Sequence, residues 1–181
     1  MPGTRETILI LDKESHNRWV LTTLLENEKY IVIAVDSIER AVKNISEFEV
    51  SGFITEYRID KDCTVGAIRE LKKRFPEAYV MMLTDNDLNE KEYEEVMEAG
   101  VDDYFLKPLP SKKILVHLRK GLGRRLVFLQ RNRLEKELNR IKTSKNPADT
   151  LTIDVDLAPE KSEESATEDT PLPLKEASIR G

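Results

Sequence analysis

The 181-residue sequence has a single cysteine, only two histidines and no long run of apolar residues. One cysteine, Cys63, cannot form an internal disulfide or a cysteine-built zinc site, which is typical of a reducing compartment. No segment approaches the roughly 20 apolar residues of a membrane-spanning helix. The first six residues also lack the apolar stretch of a secretory signal, so we expect a cytoplasmic protein without a membrane span.

The motifs of common catalytic sites are absent as well. The sequence has no glycine-rich phosphate loop, no nucleophile elbow and no helix that carries paired metal ligands. Cys63 has no histidine nearby to activate it, and His16 and His117 lie far apart in the chain. We therefore expect no enzymatic activity and no resident cofactor.

Charge divides the chain into three unlike segments. Residues 1–118 hold 16 basic and 23 acidic residues, residues 119–143 hold 9 and 2, and residues 144–181 hold 4 and 9. The last segment is rich in Pro, Ser, Thr and Glu, and it cannot bury enough apolar surface to offset its ordering entropy. We predict a domain over 6–121, a basic helical extension over 122–143 and a disordered acidic tail over 144–181.

Within the first segment, short apolar runs alternate with stretches of helical periodicity. Five runs have the composition of strands buried on both faces, at 7–11, 30–35, 52–55, 79–83 and 103–106. Amphipathic stretches follow them at 15–28, 38–45, 65–75, 88–99 and from Ser111 onward, with Trp19, Val20, Leu24 and Leu25 assigned to the packed side of the first. The pattern predicts an α/β fold with one five-stranded parallel sheet covered by helices on both faces.

Three residues mark the predicted helix ends. Ser37 is placed to cap the second helix, Pro76 stops the third and Gly100 closes the fourth. Gly121 and Gly123 weaken the fifth helix and are candidates for its end or for a bend.

Polar and charged residues follow the predicted strands. They are Asp12, Lys13 and Glu14 after the first strand, Glu56 after the third, Thr84 and Asp85 at the fourth, and Lys107 and Pro108 after the fifth. In a parallel α/β sheet, function sits beyond the carboxyl ends of the strands. The sequence therefore predicts one charged crevice at that edge.

These landmarks carry a family resemblance. The segment 99–108, with the sequence AGVDDYFLKP, the opening 8–14, with the sequence ILILDKE, and the pair Leu83-Thr84 occur in the expected order and spacing. Over about 6–121 the chain resembles the receiver domain of bacterial two-component response regulators, which has a flavodoxin-like, doubly wound (βα)5 fold. The resemblance implies a phosphoryl group accepted from a histidine kinase onto an Asp, with Mg²⁺ held nearby.

The residues at the matching positions depart from that pattern. The resemblance puts Glu56 at the acceptor position and the pair Asp12-Lys13 at the acidic pair, with the Arg58 carbonyl as the remaining Mg²⁺ ligand. It also makes Thr84 the switch hydroxyl, Lys107 the phosphate-binding lysine and Tyr104 the switch aromatic. Asp85 stands where the family usually has a small residue.

Each departure opposes phosphoryl transfer. Loss of one carboxylate weakens a Mg²⁺ site, and the Lys13 ammonium repels the cation and is expected to act as a fixed positive charge in its place. Glu56 displaces its oxygens by one methylene from an Asp acceptor, and its carboxylate is expected to reach Lys107 or Lys13 instead. The sequence therefore predicts a degenerate pseudo-receiver that is independent of phosphorylation and acts by protein–protein interaction.

Other interpretations stay open. Glu56 either mimics a phosphorylated Asp, which gives a permanently active-like conformation, or only neutralises lysines in a vestigial pocket. A working receiver would use Mg²⁺ at Asp12, Glu56 and Arg58. A third hypothesis is a nucleic-acid-binding protein that uses the basic helix 119–142, although no recognition motif accompanies that helix.

The extension carries a short apolar repeat. Val127, Leu134, Leu138 and Ile141 follow a 4/3 spacing if Arg131 is tolerated, which predicts a short coiled coil. We expect partner signalling proteins, with a histidine kinase among the candidates. Alternatively, copies of the chain pair through the fourth helix, fifth strand and fifth helix, or through the C-terminal helix.

Overall fold

The computed structural model describes residues 5–144. Within these residues the strands are β1 (Thr7–Leu11), β2 (Ile31–Val35), β3 (Gly52–Thr55), β4 (Arg58–Ile59), β5 (Asp62–Cys63), β6 (Tyr79–Thr84) and β7 (Asp103–Leu106). The helices of the described part of the chain are α1 (Ser15–Asn27), α2 (Ile38–Glu47), α3 (Val65–Arg74), α4 (Glu90–Ala99) and α5 (Ser111–Ser144). Five strands form one parallel sheet in the order β2-β1-β3-β6-β7, which confirms the predicted fold class.

The central strands are buried on both faces, as their continuous apolar sequences require. Alternate residues of β1 point to opposite sides: Leu9 and Leu11 pack on the side of α2, α3 and α4, whereas Ile8 and Ile10 pack on the side of α1 and α5. The sheet therefore has a core on each face, and the carboxyl ends of β1, β3, β6 and β7 meet at one edge.

The helix ends follow the local sequence. The Ser37 hydroxyl accepts from the Arg40 amide and caps α2, and Gly100 ends α4 at a left-handed φ of 103°. The fourth helix begins two residues later than the predicted Leu88, because Asn89 and Glu92 form a reciprocal capping box there.

The predicted packing side of α1 is wrong in part. Leu21 and Leu25 are buried, whereas Trp19 and Val20 are exposed. The helix carries more apolar residues than one stripe can bury, and the sheet takes the stripe of Leu21 and Leu25. Trp19 lies on the surface beside the ring of His16, with the ring centroids 6.3 Å apart.

A small hairpin follows β3 where the sequence predicts only a loop. β4 and β5 pair antiparallel, with Arg58 opposite Cys63 and Ile59 opposite Asp62. Asp60 adopts a φ of 58° in the turn, a conformation that Asp tolerates better than most residues. Two-residue strands give too little periodicity for sequence analysis to detect.

α5 continues through both glycines, so neither Gly121 nor Gly123 ends it. Gly121 packs on the buried ring of Tyr79, and an added Cβ would lie 2.1 Å from that ring. One turn later, Arg125 is buried and its guanidinium binds Glu6 (3.2 Å), Glu49 (2.8 Å) and Glu77 (3.7 Å). Packing on the domain thus extends beyond the predicted boundary at residue 121.

The predicted acidic tail begins at residue 144, which is the last residue of α5. Its remainder lies outside the described residues. Among the helices of 5–144, none combines the length and apolar character needed to cross a bilayer.

Candidate functional site

A cavity of about 400 Å³ lies at the carboxyl edge of the sheet. It is formed by the loops after β1, β3 and β6 and by the start of α4. Seven of its lining residues are acidic: Asp12, Glu14, Glu56, Asp60, Asp85, Asp87 and Glu92. The structure therefore gathers the predicted crevice residues at one edge.

Lys107 joins the acids of three strand ends. Its ammonium donates to Asp12 Oδ2 at 2.9 Å and to Glu56 Oε2, and it lies 3.7 Å from Asp85 Oδ2. The side chains of Lys107 and Glu56 are only 15% and 13% exposed. The longer Glu side chain thus reaches the lysine directly, in a charge-assisted contact.

The ionisation of Lys107 follows from these contacts. Burial alone would lower the pKa of its ammonium, because desolvation disfavours the charged form. Hydrogen bonds to Glu56 and Asp12 outweigh that effect and raise the pKa above its ordinary value. The group therefore carries a fixed positive charge beside Asp12, Glu56 and Asp85 at any physiological pH.

The carboxylate of Asp12 is also held from its own side of the sheet. The Glu14 amide donates to Oδ1 at 2.8 Å, and the Asn17 side chain donates to Oδ2 at 3.3 Å. Arg18 donates to the carbonyl oxygen of Asp12 at 2.7 Å. Asn17 and Arg18 were not predicted as site residues, although their place in the first turn of α1 puts them over the end of β1.

Lys13 lines the cavity, but its ammonium does not contact Asp12 or Glu56. Its ammonium binds Asp60 in the hairpin turn, and its side chain is 58% exposed. Neighbouring residues at the end of a strand point to opposite sides, so Asp12 faces inward and Lys13 faces the rim. The positive charge bound to Asp12 and Glu56 is that of Lys107.

Arg58 ties the hairpin to α4. Its guanidinium donates to Glu92 at 3.0 Å and lies over the Tyr57 ring, 4.9 Å from the centroid. Burial raises the pKa of the Tyr57 phenol to about 12, and the Arg58 hydrogen bond lowers the pKa of Glu92. Together with the pair of Lys13 and Asp60, these contacts hold the hairpin across the mouth of the cavity.

The two switch positions bind the loop after β6. The buried Thr84 hydroxyl donates to the carbonyl of Asn86 at 3.3 Å. The Tyr104 hydroxyl donates to Asp87 at 3.0 Å and accepts from the Leu88 amide at 3.1 Å, and its ring meets Tyr93 edge-on. Pro108 follows Lys107 through a cis peptide bond and is exposed.

The donor set does not fit Mg²⁺. The carboxylates of Asp12 and Glu56 bind the Lys107 ammonium, and the second member of the acidic pair is a lysine at the rim. Across residues 5–144, no group of three or more His, Cys, Asp or Glu side chains is arranged to hold a metal ion. Mg²⁺ needs near-ideal octahedral oxygen ligands, and this cavity does not present them.

Comparison with known proteins identifies the family. A family model for the response regulator receiver domain matches residues 8–119. Two-component response regulator ORR5 of Oryza sativa subsp. japonica is 29% identical over 115 residues, which cover 62% of this chain and 85% of that protein. ORR7 of the same organism is 30% identical over 105 residues, which cover 56% of this chain. The chain spans about half the length of ORR7 and of the transcriptional regulator ycf27 of Porphyridium aerugineum.

Solved structures share the fold. The signal receiver domain of an HD domain-containing protein from Pseudomonas fluorescens Pf-5 superposes with a TM-score of 0.66 at 20% identity, covering 72% of this chain and 96% of that chain. A CheY-like receiver domain protein from Methanospirillum hungatei JF-1 gives 0.64 at 18% identity, covering 67% and 97%.

Proposed function

Because the chain belongs to the response regulator receiver domain family of two-component signalling, we propose that it is a receiver that no longer accepts a phosphoryl group. It acts by binding partner signalling proteins, with a histidine kinase among the candidates, and catalyses no reaction of its own. Its site of action is the cytoplasm. The observation that supports this proposal is the contact of Lys107 with both Asp12 and Glu56.

This contact engages two carboxylates that phosphoryl transfer would use. A nucleophilic carboxylate has to approach the phosphorus in line, and a shift of about 1 Å is enough to cost catalysis. Glu56 is displaced by a methylene, and its Oε2 binds Lys107. Asp85 adds a negative charge 3.7 Å from the same ammonium, at the place where an anionic phosphoryl group would enter.

Of the two states proposed for the pocket, the contacts favour the vestigial one. A mimic of a phosphorylated Asp would engage the switch hydroxyl, but the Thr84 hydroxyl donates to the Asn86 carbonyl. The Tyr104 hydroxyl is bound to Asp87 and Leu88 rather than directed into the cavity. Glu56 therefore neutralises Lys107 without organising the loop after β6.

An intact-mass experiment tests the proposal. The wild type is incubated with acetyl phosphate and Mg²⁺, beside the double variant Glu56→Asp/Lys13→Asp and the single variant Lys13→Asp. We expect a phosphoryl adduct on the double variant only, because it alone restores both an Asp acceptor and a second acid. Labelling of the wild type would instead identify a working phosphoacceptor.

A further variant at Asp85 is used if the double variant is not phosphorylated. If the double variant stays unlabelled, Asp85→Ser is added to it, since a smaller neutral side chain leaves room for the incoming anion. Labelling of this triple variant supports the proposal and assigns part of the block to Asp85. An unlabelled triple variant shows that more than these three positions separates the pocket from a working one.

A further inference from the structure

The long helix α5 presents two opposite faces. Its inner face packs on the domain through Ile114, Leu118, Leu122 and Arg125, all of them buried. A second apolar stripe consists of Val127, Leu134, Leu138 and Ile141, whose exposures lie between 52% and 69%. At about 100° per residue, Val127 lies about 200° around the helix from Arg125, and the other three lie within about 40° of Val127. The exposed stripe therefore points directly away from the domain.

Helical order in this part of α5 needs an explanation. From Gln130 to Lys142, every side chain except that of Asn132 is exposed. Isolated helices shorter than about 12–15 residues are marginal in water, and most helical stability comes from packing of an apolar face. A stripe of four large apolar residues on such a segment is a surface that a partner helix would cover.

We propose that this stripe pairs with the same stripe of a second copy as a parallel, in-register two-stranded coiled coil. Val127, Leu134 and Ile141 recur every seven residues and face their counterparts, with Arg131 and Leu138 at the alternate core positions. The receiver domains then lie on the outer sides, since each packs on the opposite face of its own helix. The pairing uses no residue of the charged cavity and holds whether or not that cavity accepts a phosphoryl group.

Charge complementarity favours a second copy of the chain as the partner and favours the parallel direction. In a parallel, in-register pair, Glu137 of one copy lies beside Lys142 of the other, and the contact occurs twice by symmetry. Arg131 is accommodated because its guanidinium binds Glu135 of its own helix at 3.1 Å. A single polar residue at a core position weakens a coiled coil but fixes its register and its number of strands.

Sedimentation velocity over a range of protein concentrations tests the dimer. We expect the wild type to self-associate to a dimer, and Leu134→Lys/Leu138→Lys to raise its dissociation constant more than about tenfold. The matched control is Leu126→Lys, because Leu126 is 50% exposed on the same helix but about 100° away from Val127. Circular dichroism checks that each variant stays folded. A monomeric wild type, or equal loss of the dimer in the control, overturns the proposal.

Cross-linking tests the parallel direction. In a Cys63→Ala background, Val127→Cys is expected to form an interchain disulfide under mild oxidation, since residue 127 meets its own counterpart in the parallel register, whereas an antiparallel pairing of the same stripe would place it beside Ile141 of the other copy. A Leu126→Cys variant is the control and should stay largely reduced. A dimer in which Val127→Cys does not cross-link would contradict the parallel arrangement.

Charge exchange tests the proposed pair. Glu137→Lys and Lys142→Glu should each weaken the homodimer, and an equimolar mixture of the two variants should form a heterodimer more tightly than either alone. Failure of the mixture to pair preferentially would contradict the contact between Glu137 and Lys142.

Discussion

Replacement of Lys107 by methionine is expected to lower the free energy of unfolding by about 3 kcal/mol or more. Methionine keeps much of the aliphatic stem but removes the ammonium, so Asp12 and Glu56 remain close together and largely buried without their cation. Loss of one partner from a buried ion pair costs more than the pair contributes, because it leaves uncompensated charge in a poorly solvated site. Urea denaturation of both proteins at neutral pH measures the difference.

The pH dependence of this effect has a definite sign. In the wild type the folded-state pKa of Lys107 is raised, so its contribution to stability is complete below its ordinary value of about 10.5. That contribution is lost as the pH rises through the raised pKa. In the Lys107→Met variant the deficit should shrink on acidification, because neutral carboxyl groups need no counter-charge.

Two further variants separate the ion cluster from a general effect of losing a lysine. Lys113→Met changes an exposed lysine in the first turn of α5, and we expect a change within about 0.5 kcal/mol. Lys107→Met/Glu56→Gln removes the unpaired carboxylate and should recover part of the lost stability. Equal effects of Lys107→Met and Lys113→Met would show that the contacts of Lys107 contribute little.

Two glycines of α5 should respond to alanine with opposite signs. Gly121→Ala is expected to destabilise the fold by about 2 kcal/mol, because its Cβ would lie 2.1 Å from the buried Tyr79 ring and would force the helix away from β6. Gly123→Ala is expected to stabilise it by about 0.5–1 kcal/mol, because its Cβ meets open space and alanine is the better helix former.

This pair of variants contains its own control, since both introduce the same methyl group two residues apart in one helix. Thermal unfolding of each variant beside the wild type gives the two signs. Stabilisation by both substitutions would mean that α5 does not press on Tyr79, and destabilisation by both would contradict the open surroundings of Gly123.

The order of the sheet and the location of the cavity follow from local sequence. Continuous apolar runs predict the central strands, and the residues after those runs are the ones that gather at the carboxyl edge. Lys107 is identifiable for that reason. The assignment of its partner is less complete, because both Lys107 and Lys13 are within reach of Glu56 by sequence alone. Only the direction of each side chain separates them, and the structure places Lys13 at the rim.

The attachment of α5 could not be predicted in the same way. In the sequence, Arg125 is one of several charged residues in a basic segment. Its burial depends on glutamates that are 119, 76 and 48 residues away in the chain. From the sequence alone, Gly121 is expected to weaken the helix. In the structure it allows close packing on the ring of Tyr79. Contacts between distant segments decide both cases, and no periodicity within α5 reports them.

The contact of Arg125 fixes α5 to the domain at one point, and the rest of the helix extends beyond that point. From Arg125 to Ser144 the helix rises about 28 Å, at about 1.5 Å per residue. A tilt of only about 10° at Arg125 would therefore move the end of the helix by about 5 Å. The segment before β1 and the loops before β3 and β6 supply Glu6, Glu49 and Glu77, which hold the helix at this point. Small displacements of these glutamates become larger displacements at the C-terminal end of α5. The ion cluster around Arg125 therefore determines the direction of the helical extension.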